Sequence, residues 1–179
     1  MTRKVILFIA ETLDGYIAEE NGNIDYLIDN DFTSGETNDR EYEKLVKHVD
    51  TVVMGRKTYN QVANKLSPDS YPYDDFENYI MTRKPNDDVG NIHFVDGDII
   101  DLVKGLKKES SKKDIWIVGG SSIIAPLVNS DLIDIYQIGI VPIVLGSGIP
   151  LFSDKTKFKE LNLEAAKKIN GIAYLEYSK

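Results

Sequence analysis

Short apolar runs recur along the chain, and segments of mixed polarity separate them. Residues 4–10, 51–54, 79–82, 92–95, 115–118 and 133–142 are rich in Val and Ile and read as strands. Between them, residues 39–48, 58–65, 99–108 and 122–129 read as helices. Strands alternating with helices predict an α/β fold, with a mostly parallel central sheet covered by helices on both faces. After Pro150 the pattern changes. Residues 158–169 and 172–177 flank Asn170-Gly171, the strongest short-range hairpin signal. Residues 164–168 have helix propensity, but the alternation of Leu161, Leu163 and Ala165 favours an antiparallel hairpin at a sheet edge. Residues 66–77 hold Pro68, Pro72, three aromatics and several acids, and read as a long surface loop. No internal repeat or low-complexity linker divides the chain. A length of 179 residues with 42% hydrophobic content predicts one domain over 1–179 with a sizeable core.

Three predicted strands end in turns that carry chemistry. After 115–118 comes Gly119-Gly120, and a helix is expected to open at Ser121 or Ser122, whose hydroxyl can cap its first N–H groups. Such a junction lets backbone approach a phosphate at the positive end of a helix dipole. A glycine pair there is equally well plain turn chemistry. After 51–54, Gly55 leads into Arg56, Lys57 and Thr58 at another helix start. Cations at that end oppose the dipole, so a ligand of negative charge would explain them. After 79–82 the turn is Arg83-Lys84-Pro85. One basic turn alone reads as a solvated loop. Three strand-end turns in a chain of net charge −8 point to one polyanion touched at several places, as a phosphorylated dinucleotide would be.

Composition narrows the classes further. Zero cysteines exclude disulfides, thiol catalysis and cysteine metal sites, and fit a reducing cytoplasm. The apolar run 5–10 is too brief for a signal sequence or a spanning helix. A pI near 4.8 argues against general binding to nucleic acid or membrane. His48 and His93 are too few for a metal cluster and read as ordinary surface or strand residues.

The segment Val53-Met54-Gly55-Arg56-Lys57-Thr58-Tyr59, followed by Ile117-Val118-Gly119-Gly120, resembles the dihydrofolate reductase-like superfamily. Leu7 to Ala18, with its Thr-Leu-Asp-Gly turn, and Ile140 to Phe152, with its Pro-x-x-x-Gly-x-Gly-x-x-Leu-Phe pattern, resemble more closely the C-terminal reductase domain of the bifunctional riboflavin-biosynthesis deaminase-reductase. The resemblance runs from Val5 to about Phe152, with four motifs in the expected order. It implies a dihydrofolate reductase-like three-layer fold, a homodimer and NADPH as cofactor. By resemblance, Gly55, Arg56, Lys57 and Thr58 would hold the pyrophosphate together with Gly119, Gly120, Ser121 and Ser122, and Ile123 would lie beside them. Thr82, Arg83 and Lys84 would meet the adenosine ribose, and their charges favour a 2′-phosphate. Ala10 and Ile17 would wall the nicotinamide. The long apolar run 133–145 could supply the dimer contact or form a central strand.

A proton must accompany the hydride. Asp14-Gly15 reads as turn chemistry, with the aspartate bonding nearby backbone N–H groups. Asp29 and Asp31 lie near the place where folate reductases hold a pterin-binding carboxylate, in a stretch that also reads as a polar turn. Tyr26, beside Asp25, stands where the family usually carries an aromatic at the cleft. Glu11 and Thr12 match the region where deaminase-reductase relatives contact substrate, so Asp29, Thr12 and Glu11 are the catalytic candidates. Ile138 replaces a threonine usual in folate reductases, which weakens a pterin substrate. Three functions stay open. They are an NADPH-dependent reductase of the riboflavin type or a free-standing paralogue acting on a small heterocycle, a dihydrofolate reductase, and a non-catalytic NADP-binding protein.

Overall fold

The computed structural model describes residues 2–29, 40–84 and 86–179, leaving out the side chains of Asp29 and Arg40. Eight strands form the main sheet in the order β5-β4-β3-β6-β1-β7-β10-β9. They are β1 (Val5–Thr12), β3 (Val49–Gly55), β4 (Glu77–Met81), β5 (Ile92–Val95), β6 (Asp114–Gly119), β7 (Ile135–Val141), β9 (Asn162–Ile169) and β10 (Ile172–Ser178). Every pair from β5 to β7 is parallel, and β10 alone runs the other way, antiparallel to both β7 and β9. Asn170 and Gly171 take φ of 48° and 84°, the left-handed pair that a two-residue hairpin turn needs, so the edge hairpin forms as expected. Two further short strands, β2 (Tyr16–Ala18) and β8 (Ile149–Pro150), pair outside this sheet.

Alternation along the strands divides the core into two layers. Val5 and Leu7 of β1, Val53 of β3, and Ile115 and Ile117 of β6 face α4 (Ile99–Leu106) and α5 (Ser121–Asn129), where Val103, Ile124 and Leu127 are fully buried. Ile6, Val52, Met54 and Trp116 face the other way, against Leu45 and Val46 of α2 (Arg40–His48). The segment 67–76 is the surface loop that the sequence suggests, with Pro68, Pro72 and its aspartates exposed, but Tyr71, Tyr73 and Phe76 turn inward onto the second layer. Asn78, wholly buried, holds it there by donating to the carbonyls of Tyr73 and Phe76 and accepting from the Tyr71 hydroxyl at 2.9 Å. Trp116 meets Tyr73 edge-on at 5.3 Å and Phe8 at 5.9 Å.

The opening for a ligand follows from connectivity. The chain leaves β1 towards β3 on one side, and leaves β6 through α5 towards β7 on the other. The β1–β6 ladder ends at Leu7 and Ile117, although β1 runs on to Thr12 and β6 to Gly119. Neighbouring strands whose connections depart in opposite directions part at their carboxyl ends, and a crevice opens there. β7 is paired on both edges, with β1 and β10, so residues 135–141 of the run 133–145 form a central strand whose edges are closed to a second copy.

Two contacts fix the rim of that crevice. Asp14 does what its turn predicts: its carboxylate accepts from the Leu145 and Gly146 N–H groups and from the Thr12 hydroxyl. The Thr12 hydroxyl, then the two amides, hold the Asp14 carboxyl down to about 2. Gly148 brings β8 against β2 so closely that a Cβ would collide with the Ala18 carbonyl. The expected fold reappears, with added detail at this rim. His93, half-buried on β5, sits between Asp88 and Glu77, which raise its pKa.

Gly148→Ala is expected to push β8 from β2 and lower stability by roughly 1–3 kcal/mol, read from the urea midpoint. Asp14→Asn gives a pH signature. Its carboxylate has a folded pKa below the ordinary 3.8, so its stabilisation is complete above that value and lost as pH falls towards 2. The gap in urea midpoint between wild type and Asp14→Asn should therefore be full at neutral pH and close on acidification. A gap independent of pH would contradict the charged clamp.

Candidate functional site

Two glycine turns meet at the mouth of the crevice. α3 (Arg56–Gln61) starts after Gly55 and α5 starts after Gly120, and neither start has a side-chain cap. Here the structure corrects the sequence: Ser121 and Ser122 are the first helical residues, not the cap, because extended Gly120 takes that position. Gly119 has φ +119° and is joined to Gly120 by a cis peptide. A Cβ on Gly55 would lie 3.9 Å from the Gly119 carbonyl oxygen, and one on Gly120 would lie 3.8 Å from Thr58 Oγ1. The two helix starts therefore abut and direct their first N–H groups into one space.

That space is a cleft of about 1190 Å³. Of the cofactor-binding candidates, Ala10, Ile17, Gly55, Arg56, Lys57 and Thr58 line it. So do Thr82, Arg83, Lys84, Gly120, Ser121, Ser122 and Ile123. Gly119 lies behind the wall, against Ile9 and Ile124. Arg56 is held by Phe94, whose ring centre lies 4.5 Å from its guanidinium carbon, and by Asn60, which accepts from Nε at 3.2 Å. Its Nη1 is buried with no partner among the described residues. A dry guanidinium donor beside two uncapped helix starts fits an incoming phosphate oxygen. The Thr82 hydroxyl accepts from the Lys84 N–H at 3.1 Å and so shapes the turn that carries exposed Arg83 and Lys84.

The catalytic candidates are not gathered in the same way. Thr12 is fully buried, and its hydroxyl donates to Asp14 at 2.6 Å and accepts from the Tyr16 N–H at 3.0 Å. Glu11 is half-buried, and burial raises its pKa; neither residue lines the cleft. Asp29 ends α1 (Asp25–Asp29), but its carboxylate, like Asp31, lies outside the described residues. Pro85 lies outside them as well. Tyr26 is half-buried on α1, its phenol pushed up first by burial and then by Glu19 and Asp14.

Sequence reasoning missed several walls of the cleft. Val62 and Leu66 come from a π-helical turn (Val62–Leu66) that continues α3, a form no local signal marks. Ile24 and Leu27 enter from the start of α1, and their three-residue spacing was the available hint. Asp96 and Gly97 follow β5 as the basic turns follow β3 and β4, and the same strand-end logic would have found them.

The model of the RibD C-terminal domain matches residues 3–171. The uncharacterized protein YwjB of Bacillus subtilis is 37% identical over 178 residues, covering 99% of this chain and 98% of its own. A putative riboflavin biosynthesis protein from Shewanella sp. PV-4 superposes with a TM-score of 0.81 at 28% identity, covering 99% and 98% of the two chains. Dihydrofolate reductase from Enterococcus faecalis, complexed with NADP(H), shares the fold at a TM-score of 0.61 and 15% identity, over 99% and 98%. With two joined glycine turns, a parted central strand pair and this match over nearly all its length, the chain belongs to the RibD C-terminal domain family and has the dihydrofolate reductase-like fold.

Proposed function

We propose that the protein is an NADPH-dependent reductase of the riboflavin-biosynthesis type, acting on 5-amino-6-(5-phosphoribosylamino)uracil or, as a free-standing paralogue, on a related small heterocycle. The observation that carries this reading is the unpartnered, buried Nη1 of Arg56 beside two uncapped helix starts. Family membership supports oxidoreductase chemistry in general. The cofactor and substrate are our inference.

The residues present fit the dinucleotide. Ser121 and Ser122 at the start of α5, with Arg56 and Thr58 at the start of α3, would hold the diphosphate. Arg83 and Lys84 would take the 2′-phosphate that separates NADPH from NADH. Ile9, Ala10, Ile17, Val118 and Ile123 form an apolar wall that would position the ring and exclude water. Reduced nicotinamide supplies the hydride when bound. Glu11 and Asp29 are the proposed sources of the proton. Burial keeps the Glu11 carboxyl protonated to a higher pH than an exposed glutamate. Thr12 would serve by shaping the turn that follows them, since both hydrogen bonds of its hydroxyl are engaged.

Dihydrofolate reduction is the weaker reading, because Ile138 is buried in the core and offers no hydroxyl. A non-catalytic NADP-binding protein would bind cofactor and turn over nothing. Among the described residues, no helix is long and apolar enough to cross a membrane. We place the enzyme in the cytoplasm, without nucleic-acid or membrane partners, as a homodimer whose contact uses surfaces other than the edges of β7.

The experiment is a titration with NADPH and NADH, read by energy transfer from Trp116, the single tryptophan. Tight NADPH and weak NADH binding are expected. Arg56→Ala should weaken both cofactors, whereas Arg83→Ala should weaken NADPH alone. Each lost charge-assisted contact is worth roughly 1.5–3 kcal/mol, about tenfold to hundredfold in affinity. Unchanged NADPH affinity in both variants would sink the assignment.

A further inference from the structure

The cleft is electrostatically lopsided. Among the described residues its cations are Arg56, Lys57, Arg83 and Lys84, all just past the carboxyl ends of β3 and β4. The opposite end is closed by Ile17, Ile24, Leu27, Val62, Leu66 and Ile149. α3 and its π-helical continuation bridge the two ends, and Arg56 to Leu66 spans roughly 15 Å at helical rise. The polar groups near the apolar end are already engaged. Gln61 donates to the Gly22 carbonyl at 3.0 Å, and Lys65 is drawn away to Asn23 at 2.9 Å and Asp25 at 3.4 Å.

The chain between β1 and α2 deepens this asymmetry. Residues 13–39 contain eight acids and neither Lys nor Arg. Arg40 follows on α2, and no described residue of α2 lines the cleft. NADPH itself brings two diphosphate charges and about two more on its 2′-phosphate, which the four cations match. None is left for a second phosphorylated molecule. An ionised group placed against hydrocarbon without a counter-charge is strongly disfavoured.

We propose that the substrate reduced in this cleft is a compact, mainly apolar ring that carries a C=N or C=O bond and no phosphate. This rests on the NADPH reading above and takes its second alternative, the free-standing paralogue acting on another small heterocycle, over the phosphoribosyl substrate. The ring carbon gains a hydride, its π pair moves to the nitrogen or oxygen, that atom takes up a proton, and the dinucleotide is left oxidised. The apolar end selects by shape and by excluding charge, so the phosphoribosyl aminopyrimidine is the substrate it rejects.

The test is calorimetric binding to the NADPH-saturated protein. The probes are 5-amino-6-(5-phosphoribosylamino)uracil, its phosphatase-treated nucleoside, and 3,4-dihydroisoquinoline as a neutral cyclic imine at alkaline pH. The imine is expected to bind, and the nucleoside to bind at least as tightly as its phosphate ester. A threefold or greater preference for the ester overturns the proposal, and so does failure of both neutral probes to bind. Leu27→Arg, which adds a cation at the apolar end, should shift preference towards the ester tenfold or more. No shift would place the substrate elsewhere and also overturn it. The cofactor titration is run first: absence of NADPH binding removes the reductase reading itself, whereas NADPH binding with an ester preference removes only the substrate class.

Discussion

β1 and β6 exchange backbone hydrogen bonds only as far as Leu7 and Ile117, and the rest of the molecule is arranged around their parting. Both are central strands, packed on each face, and each is secured along its other edge, β1 by β7 and β6 by β3. Their free carboxyl ends can therefore diverge while the sheet stays whole. The divergence leaves room for two glycine turns to meet, because a register shift between Val53 and Met54 brings Met54 opposite Gly119. Glycine is demanded at 119, where φ is +119°, whereas a Cβ at 55 or 120 would meet its neighbours only at ordinary contact distance.

Arg56 shows how a net charge of −8 coexists with a cleft lined by cations. Its guanidinium lies on Phe94, which is packed edge-on against Tyr59 at 5.6 Å, and Tyr59 in turn meets Tyr71. The aromatic layer thus presents one cation at a fixed position and shields it from the surface carboxylates. Elsewhere acids and bases neutralise each other locally, as where buried Arg3 joins Asp50 and Glu109 at the opposite end of the sheet. Overall charge therefore says little about the field inside the cleft.

How much of this was legible in the sequence depended on how local the signal was. Central strands are buried on both faces, so they appear as uninterrupted apolar runs, and all six parallel strands were readable to within three residues at either end. Asn170-Gly171 announced the hairpin through backbone geometry alone. The basic turns were legible because cations at a helix start are locally unfavourable. What escaped was non-local. The loop 67–76 showed its exposed prolines and acids but not the inward turn of its tyrosines, which depends on Asn78. The capping serines were misplaced by one position because glycine at 120 can be extended and needs no side chain. The β2–β8 pair joins residues far apart in the chain through contacts that no pattern encodes.

The two ends of the cleft are also built from different kinds of structure. The cationic end is made by residues just past the tips of the core strands β3 and β4. The apolar end is made by α1, the π-helical turn and β8, short pieces linked to each other by Gln61, Lys65 and Gly148 rather than by the main sheet. Mutations there can reshape one wall without unravelling the other, so the shape of the apolar end can change independently of the cationic end.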